Sequence, residues 1–313
     1  MLELGVQTKN VVKDENPFEG FALLKRAGFT CCDLSLNEYL PNKNIYNQEI
    51  NRFFDKSVNE LKEYFKLHKM AAKASEIRVS QMHMPYPIYV PDAMESINDY
   101  LWNQVAPKSM EICNYFDCNY IVIHGFKLKN FLGTEALEWE MTEKFINTLA
   151  PMAKEMGITL CVENLYENQG GHLIEGPCCD VEKIITRIDR INEKNHAETL
   201  GFCLDTGHAN LIGLCFEDMI KKLGNRLKVL HIHDNDGLQD LHQIPYTFSR
   251  TRENSSLTDW DGFIRGLKAI TYDGVLSFET APALSTFPEK MQEETLSFIS
   301  KIGKNFAECI LEV

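Results

Sequence analysis

Short runs of β-branched and aliphatic residues alternate along the whole chain with longer segments whose apolar positions recur at helical spacing. Residues 2–7, 30–36, 77–83, 120–124, 158–163, 200–205, 227–233 and 275–279 read as eight strands. The fourth, Tyr120-Ile121-Val122-Ile123-His124, is β-branched and nearly continuous in apolar character, the signature of a strand buried on both faces. Between the strands lie predicted helices at 17–27, 48–69, 93–116, 135–156, 181–192, 217–223, 259–271 and 288–309. Gly28 and Gly157 stop two of these helices, and Thr258 or Asp259 opens the seventh. In 48–69 the stripe is Ile50, Phe53, Phe54, Val58, Leu61 and Phe65.

Eight strand–helix units without a composition break, in 313 residues, predict an α/β chain folded as a single (β/α)₈ barrel domain over 1–313. Two connections are long, 37–47 after the second strand and 234–257 after the seventh. Both follow strand C-termini, the face on which barrels of this type carry their chemistry.

Composition adds exclusions. The chain is 44% apolar and 25% charged, ordinary for a globular protein. A net charge of −13 repels phosphate backbones and argues against nucleic acid as partner. The first residues carry no basic segment or long apolar run, so no signal peptide is expected, and no stretch approaches the length of a membrane span. The ten cysteines include no Cys-x-x-Cys arrangement, and Cys31-Cys32 and Cys178-Cys179 are adjacent pairs. They read as small core residues of a reducing compartment, which points to a cytoplasmic location.

The strand ends are where polar residues concentrate. The third predicted strand ends at His83, the fourth at His124, the fifth at Glu163-Asn164 and the sixth at Asp205, followed by Thr206-Gly207-His208. The seventh carries His231-Ile232-His233-Asp234, and the eighth ends at Glu279. Each taken singly fits a satisfied polar residue at a barrel rim. Taken together, Glu163, Asp205, His231 and Glu279 would converge on one mouth, and carboxylates buried at that density call for a divalent cation. An oxygen-rich set with one imidazole suits manganese first; magnesium, zinc and cobalt are alternatives. His83, His124, His208, Asp240 and His242 are candidates for further metal or substrate contacts. Tyr39, Tyr86, Trp102, Phe126, Tyr166 and Phe248 are candidate pocket aromatics.

These residues resemble the xylose isomerase-like barrels, which include sugar isomerases and epimerases and the endonuclease IV enzymes. Val162-Glu163-Asn164, Leu204-Asp205-Thr206-Gly207-His208, His231-Ile232-His233-Asp234, Asp240-Leu241-His242 and Phe278-Glu279 carry the resemblance, which spans essentially the whole chain. Each motif is weak alone; their order and spacing are specific. The resemblance implies a metal on Glu163, Asp205, His231 and Glu279, with Glu163 and Glu279 as the acid/base pair and His208 against a substrate oxygen. The expected activity is isomerisation or epimerisation of a small carbohydrate by proton abstraction next to a carbonyl.

One departure bears on the substrate. Ketose epimerases of this kind place an arginine soon after the strand-seven histidine, where this chain reads Asn235-Asp236-Gly237-Leu238-Gln239. Arg250 and Arg252 further along the loop are weak candidates to replace it. Alternatives consistent with the same residues are the metal-binding subunit of a C-glycoside-cleaving or inosose-dehydratase type lyase, a zinc-dependent apurinic endonuclease, and a sugar-binding barrel without turnover. A homo-oligomer or a small partner subunit is compatible with each.

Overall fold

A computed structural model describes residues 2–129, 133–248 and 258–312. The strands are β1 Leu4–Gln7, β2 Cys31–Ser35, β3 Arg78–His83, β4 Tyr120–His124, β5 Thr159–Glu163, β6 Tyr166–Gln169, β7 His172–Glu175, β8 Leu200–Asp205, β9 Leu227–His231 and β10 Leu276–Phe278. Eight of them form one sheet in the order β10-β1-β2-β3-β4-β5-β8-β9, all pairs parallel. The ring closes where Ile232 N–H donates to Ser277 O (2.9 Å) and Glu279 N–H donates to Ile232 O (3.1 Å). The result is the predicted (β/α)₈ barrel, with helices packed outside the strands.

Strand alternation builds the interior. Val122, Cys161, Cys203 and Val229 form a separate apolar layer inside the barrel. Two residues beyond each of them, on the same face, stand His124, Glu163, Asp205 and His231. The apolar layer is therefore the floor on which the polar mouth rests. All ten cysteines are unpaired thiols; eight are buried, as a core role requires, whereas Cys215 is exposed and Cys309 half-buried.

The first helix, Pro17–Ala27, has the predicted bounds, and Gly28 closes it in the left-handed region at φ +98, donating its N–H to Leu24 O and Lys25 O. Several segments differ from expectation, among them short helices at Asn42–Tyr46, Thr206–Leu211 and Ala281–Thr286. The helix predicted over 48–69 is instead a 3₁₀ turn, Phe53–Asp55, followed by helices Val58–Tyr64 and Lys66–Ala74. Ser57 starts the first of these with a capping box: Glu60 N–H donates to Ser57 Oγ while Glu60 Oε2 accepts from Ser57 N–H. Within the helical stretch 95–115, a π-helical turn at Leu101–Val105 precedes Pro107, which has no N–H to donate. Between β5 and the helix Val181–Asn195, strands β6 and β7 form an antiparallel hairpin where no element was expected.

Candidate metal centre

Register brings the site together. His124 pairs with Glu163, and Asp205 with His231, across neighbouring strands. Asn164 locks β5 to β8: its Nδ2 donates to Asp205 O and its Oδ1 accepts from Asp205 N–H, both at 2.9 Å. Glu163 is fully enclosed. His208 Nδ1 lies 3.2 Å and His231 Nδ1 3.5 Å from its Oε1, and His124 Nε2 lies 3.1 Å and His83 Nε2 3.5 Å from its Oε2. Glu279 Oε2 is 3.2 Å from His231 Nδ1, while Gln7 Nε2 donates to Glu279 Oε1 at 2.9 Å.

Asp205 has two duties. Its Oδ1 caps the helix Thr206–Leu211 by accepting from His208 N–H at 2.6 Å, and its Oδ2 lies 2.9 Å from His233 Nε2. The close approach of His233 depends on Gly207, where a Cβ would lie 1.9 Å from His233 Cε1. The chain beyond β9 then folds back. An antiparallel bridge between Asp234 and Gln243 returns Asp240 and His242 to the mouth. There, Asp240 Oδ2 lies 3.3 Å from His208 Nε2 and 3.1 Å from His242 Nε2. The imidazoles of His233 and His242 stack at 3.9 Å.

The donor set fits a cation. One ligand atom from each of Glu163, Asp205, His231 and Glu279 lies within 4.8 Å of every other, and His83-Glu163-His231 and His233-His242-Glu279 form overlapping groups of the same kind. Buried atoms in this cluster lack a hydrogen-bond partner, among them Glu163 Oε2, His231 Nδ1 and Asp240 Oδ1. Buried polar atoms are ordinarily satisfied, so a concentration of exceptions at one point marks a place for a charge the side chains do not supply. Burial opposes charge on His208, yet Asp205 and Asp240 hold it well above the usual imidazole range. Burial pushes the Glu279 carboxyl up, but His231 and His242 outweigh it and hold it at about 2. His124 goes the other way, pushed down to about 4 by burial despite Glu163.

The centre forms the base of a cavity of about 560 Å³. Of the candidate aromatics, Tyr86, Phe126 and Tyr166 line it; Tyr39, Trp102 and Phe248 do not. Tyr39 belongs instead to an aromatic cluster with Phe53, Tyr64 and Phe65, and Trp102 packs on Phe126 and Phe145. Asp240 and His242 are each only about a fifth exposed, so they belong to the mouth rather than to a solvated loop. Arg250 and Arg252 lie outside the described residues.

A model described as "Xylose isomerase-like TIM barrel" matches residues 21–302. The chain belongs to the xylose isomerase-like barrel family. An uncharacterised protein of Methanocaldococcus jannaschii is 26% identical over 203 residues, 63% of each chain. One of Sinorhizobium fredii is 30% identical over 101 residues, 32% of this chain and 30% of its own. The match thus spans less than two thirds of the length of either relative. Among solved structures, a D-tagatose 3-epimerase-like protein superposes with a TM-score of 0.65 at 20% identity, covering 99% of this chain and 98% of its own. A D-psicose 3-epimerase determined with D-fructose gives 0.66 at 15% identity, covering 99% of each. A 3-keto-D-glucoside 4-epimerase from E. coli gives 0.65 at 16% identity, covering 96% of this chain and 100% of its own. At these identities the likeness is one of fold.

The barrel holds polar residues that the strand-end pattern passed over. Gln7, Asp33 and Gln81 are register neighbours on β1, β2 and β3. Asp33 Oδ2 accepts from Gln81 Nε2 at 3.2 Å and lies 3.2 Å from His231 Nε2. Their only signal was a polar residue in or at the end of a strand. His233 stood in a recognised motif without an assigned contact.

Proposed function

We propose that this barrel is a divalent-metal-dependent carbohydrate isomerase or epimerase that moves a proton on the carbon beside a carbonyl. The observation that carries the reading is that Glu163 and Glu279 approach one nitrogen, His231 Nδ1, from separate strands at the base of the cavity. The fold similarity to sugar epimerases supports it. Glu163, Asp205, His231 and Glu279 would hold the ion, with manganese first by ligand hardness. A divalent cation in such a set supplies Lewis-acid stabilisation of negative charge that builds on neighbouring oxygens.

The side chains do the rest. A carboxylate has two oxygens, so ligation through one leaves the other to carry a proton. Glu163 and Glu279 reach the site from different strands, which lets one take the proton and the other return it on the opposite side. Gln7 fixes the Glu279 carboxylate by its 2.9 Å hydrogen bond. His208, on the cavity wall, would donate to a substrate oxygen. The test is solvent exchange: manganese-loaded protein in heavy water, with a panel of ketoses and inosose, followed by NMR. Deuterium incorporation next to a carbonyl supports the reading; its absence across the panel with the metal bound overturns it.

A second reading, phosphodiester hydrolysis at a multinuclear centre, is favoured by one observation. His83 and His124 gather on Glu163 Oε2, and His208 and His242 on Asp240 Oδ2, so four further histidines and one further carboxylate adjoin the central four. Three zinc ions per chain together with incision of abasic DNA would establish it. The net charge of −13 weighs against it.

A further inference from the structure

The two glutamates of the centre are held in different ways. Glu163 meets imidazole at both oxygens, His208 and His231 at Oε1 and His83 and His124 at Oε2. Imidazole approaches Glu279 at Oε2, which lies 3.2 Å from His231 Nδ1 and 3.9 Å from His242 Nδ1. Its other oxygen, Oε1, accepts a hydrogen bond of 2.9 Å from Nε2 of Gln7.

Barrel closure supplies this partner. β1 pairs with β10 in parallel register, Val6 opposite Phe278, so Gln7 and Glu279 follow as the next neighbours along the two chains. Gln7 is only 5% exposed, while Glu279 lines the cavity. An amide does here what an imidazole does not. It neither gives up nor takes a proton in the working range, so it holds an oxygen in place without competing for the proton. A carboxylate oxygen has two lone pairs, and Gln7 fills one at Oε1 and leaves the other. A carboxylate without such a partner turns broadly about its last bond, because an sp³–sp² torsion lacks sharp staggered wells.

We propose that Gln7 is a positioning residue that divides the duties of the Glu279 carboxylate: Oε2 is kept toward His231 and the ion, and Oε1 is kept as the oxygen that carries the proton. This rests on the isomerase or epimerase reading. In an inversion, one carboxylate takes the carbon-bound proton, the electron pair left behind enters the enediolate, and the other carboxyl returns a proton to the opposite face. No oxidant or reductant is needed. Without the Gln7 hydrogen bond, Glu279 turns and delivers its proton slowly. Glu163, held by its own histidines, still removes a proton and returns solvent deuterium to the same face. Exchange and inversion then come apart.

The test uses manganese-loaded Gln7→Met, which keeps the side-chain length without the donor, and Gln7→Ala. Each is incubated in heavy water with both epimers of every ketose or inosose of the panel that the wild type interconverts. NMR follows deuterium entry and epimer formation in the same sample. Their ratio is the readout, because it does not depend on how much of the protein is folded. A misplaced group costs up to about 10²-fold in its own step, so the ratio of exchange to inversion should rise by about tenfold or more. The rise should appear for one epimer of the pair, the one that Glu163 deprotonates; a general loosening of the barrel would not make that distinction. Calorimetry should show manganese bound as tightly as by the wild type. An unchanged ratio, weakened manganese binding, or loss of both reactions from both variants overturns the proposal and leaves the isomerase or epimerase reading standing. Exchange by the wild type without inversion of any panel member also overturns it. No exchange by the metal-loaded wild type across the panel overturns the reading and the proposal together.

Discussion

Asp33 Oδ2 lies 3.2 Å from Nε2 of His231, whose other ring nitrogen, Nδ1, faces Glu163 and Glu279. A carboxylate behind a ligating imidazole fixes its tautomer and raises its basicity, and such partners typically govern metal affinity by 10–100-fold. Asp33→Asn should therefore weaken metal binding by about one to two decades, with the fold retained. Metal titration by calorimetry measures this; wild-type affinity in the variant would show that Asp33 serves only the barrel interior.

Asp205→Ala should remove the tightly bound metal. It also deletes the cap of the helix Thr206–Leu211 and the partner of the buried His233. Loss of a cap alone costs about 0.5–2 kcal/mol, so a lowered melting temperature is expected together with an unchanged far-ultraviolet spectrum. Full metal occupancy in the variant would exclude Asp205 as an essential ligand.

Glu163→Gln and Glu279→Gln should each abolish turnover while a ketosugar still binds. Glutamine keeps the shape and one coordinating oxygen but cannot take up a proton in the working range. General-base loss costs about 10²–10⁴-fold. Because each change also removes a charge from the cluster, solvent deuterium exchange is measured at saturating manganese. Exchange at the wild-type rate in both variants would end the proton-transfer reading.

Metal binding should release protons. Burial opposes charge on His242, but Asp240 and Glu279 raise it to about 9, and His208 is likewise held well above its usual value. At neutral pH the metal-free centre thus carries imidazolium protons, and an arriving cation must displace positive charge. Affinity should fall as pH is lowered, and titrations in buffers of different ionisation enthalpy should report net proton release. A metal affinity independent of pH between 6 and 8, roughly the range in which ordinary imidazoles titrate, would contradict this.

Much of the centre was legible because a strand end is a one-dimensional feature. A continuous apolar run that stops at Glu163, Asp205 or His231 announces both the strand and the rim residue, and parallel βα order fixes which rims are neighbours. The capping box Ser57–Glu60 was equally local, and its signal was overridden by a stripe that continued through it. Asp33, Gln7 and Gln81 were different. Asp33 and Gln81 lie inside strands and Gln7 ends one, and whether each faces the site or the helices depends on register, which a one-residue slip would invert.

By itself, then, the amino-acid order determined the eight strands, their parallel arrangement and the four residues at one mouth, because hydrophobic periodicity and chain connectivity act along the sequence. Tertiary structure alone decided the rest. The Asp234–Gln243 bridge turned Asp240 and His242 back over the barrel, and Gly207 left room for His233 against Asp205. The hairpin of β6 and β7 brought Tyr166 to the wall beside His208. The contacts of His233 with Asp205 and of Tyr166 with His208 join segments far apart in the chain. They are set by steric fit and by the need to satisfy buried charge, neither of which leaves a periodic trace in the sequence.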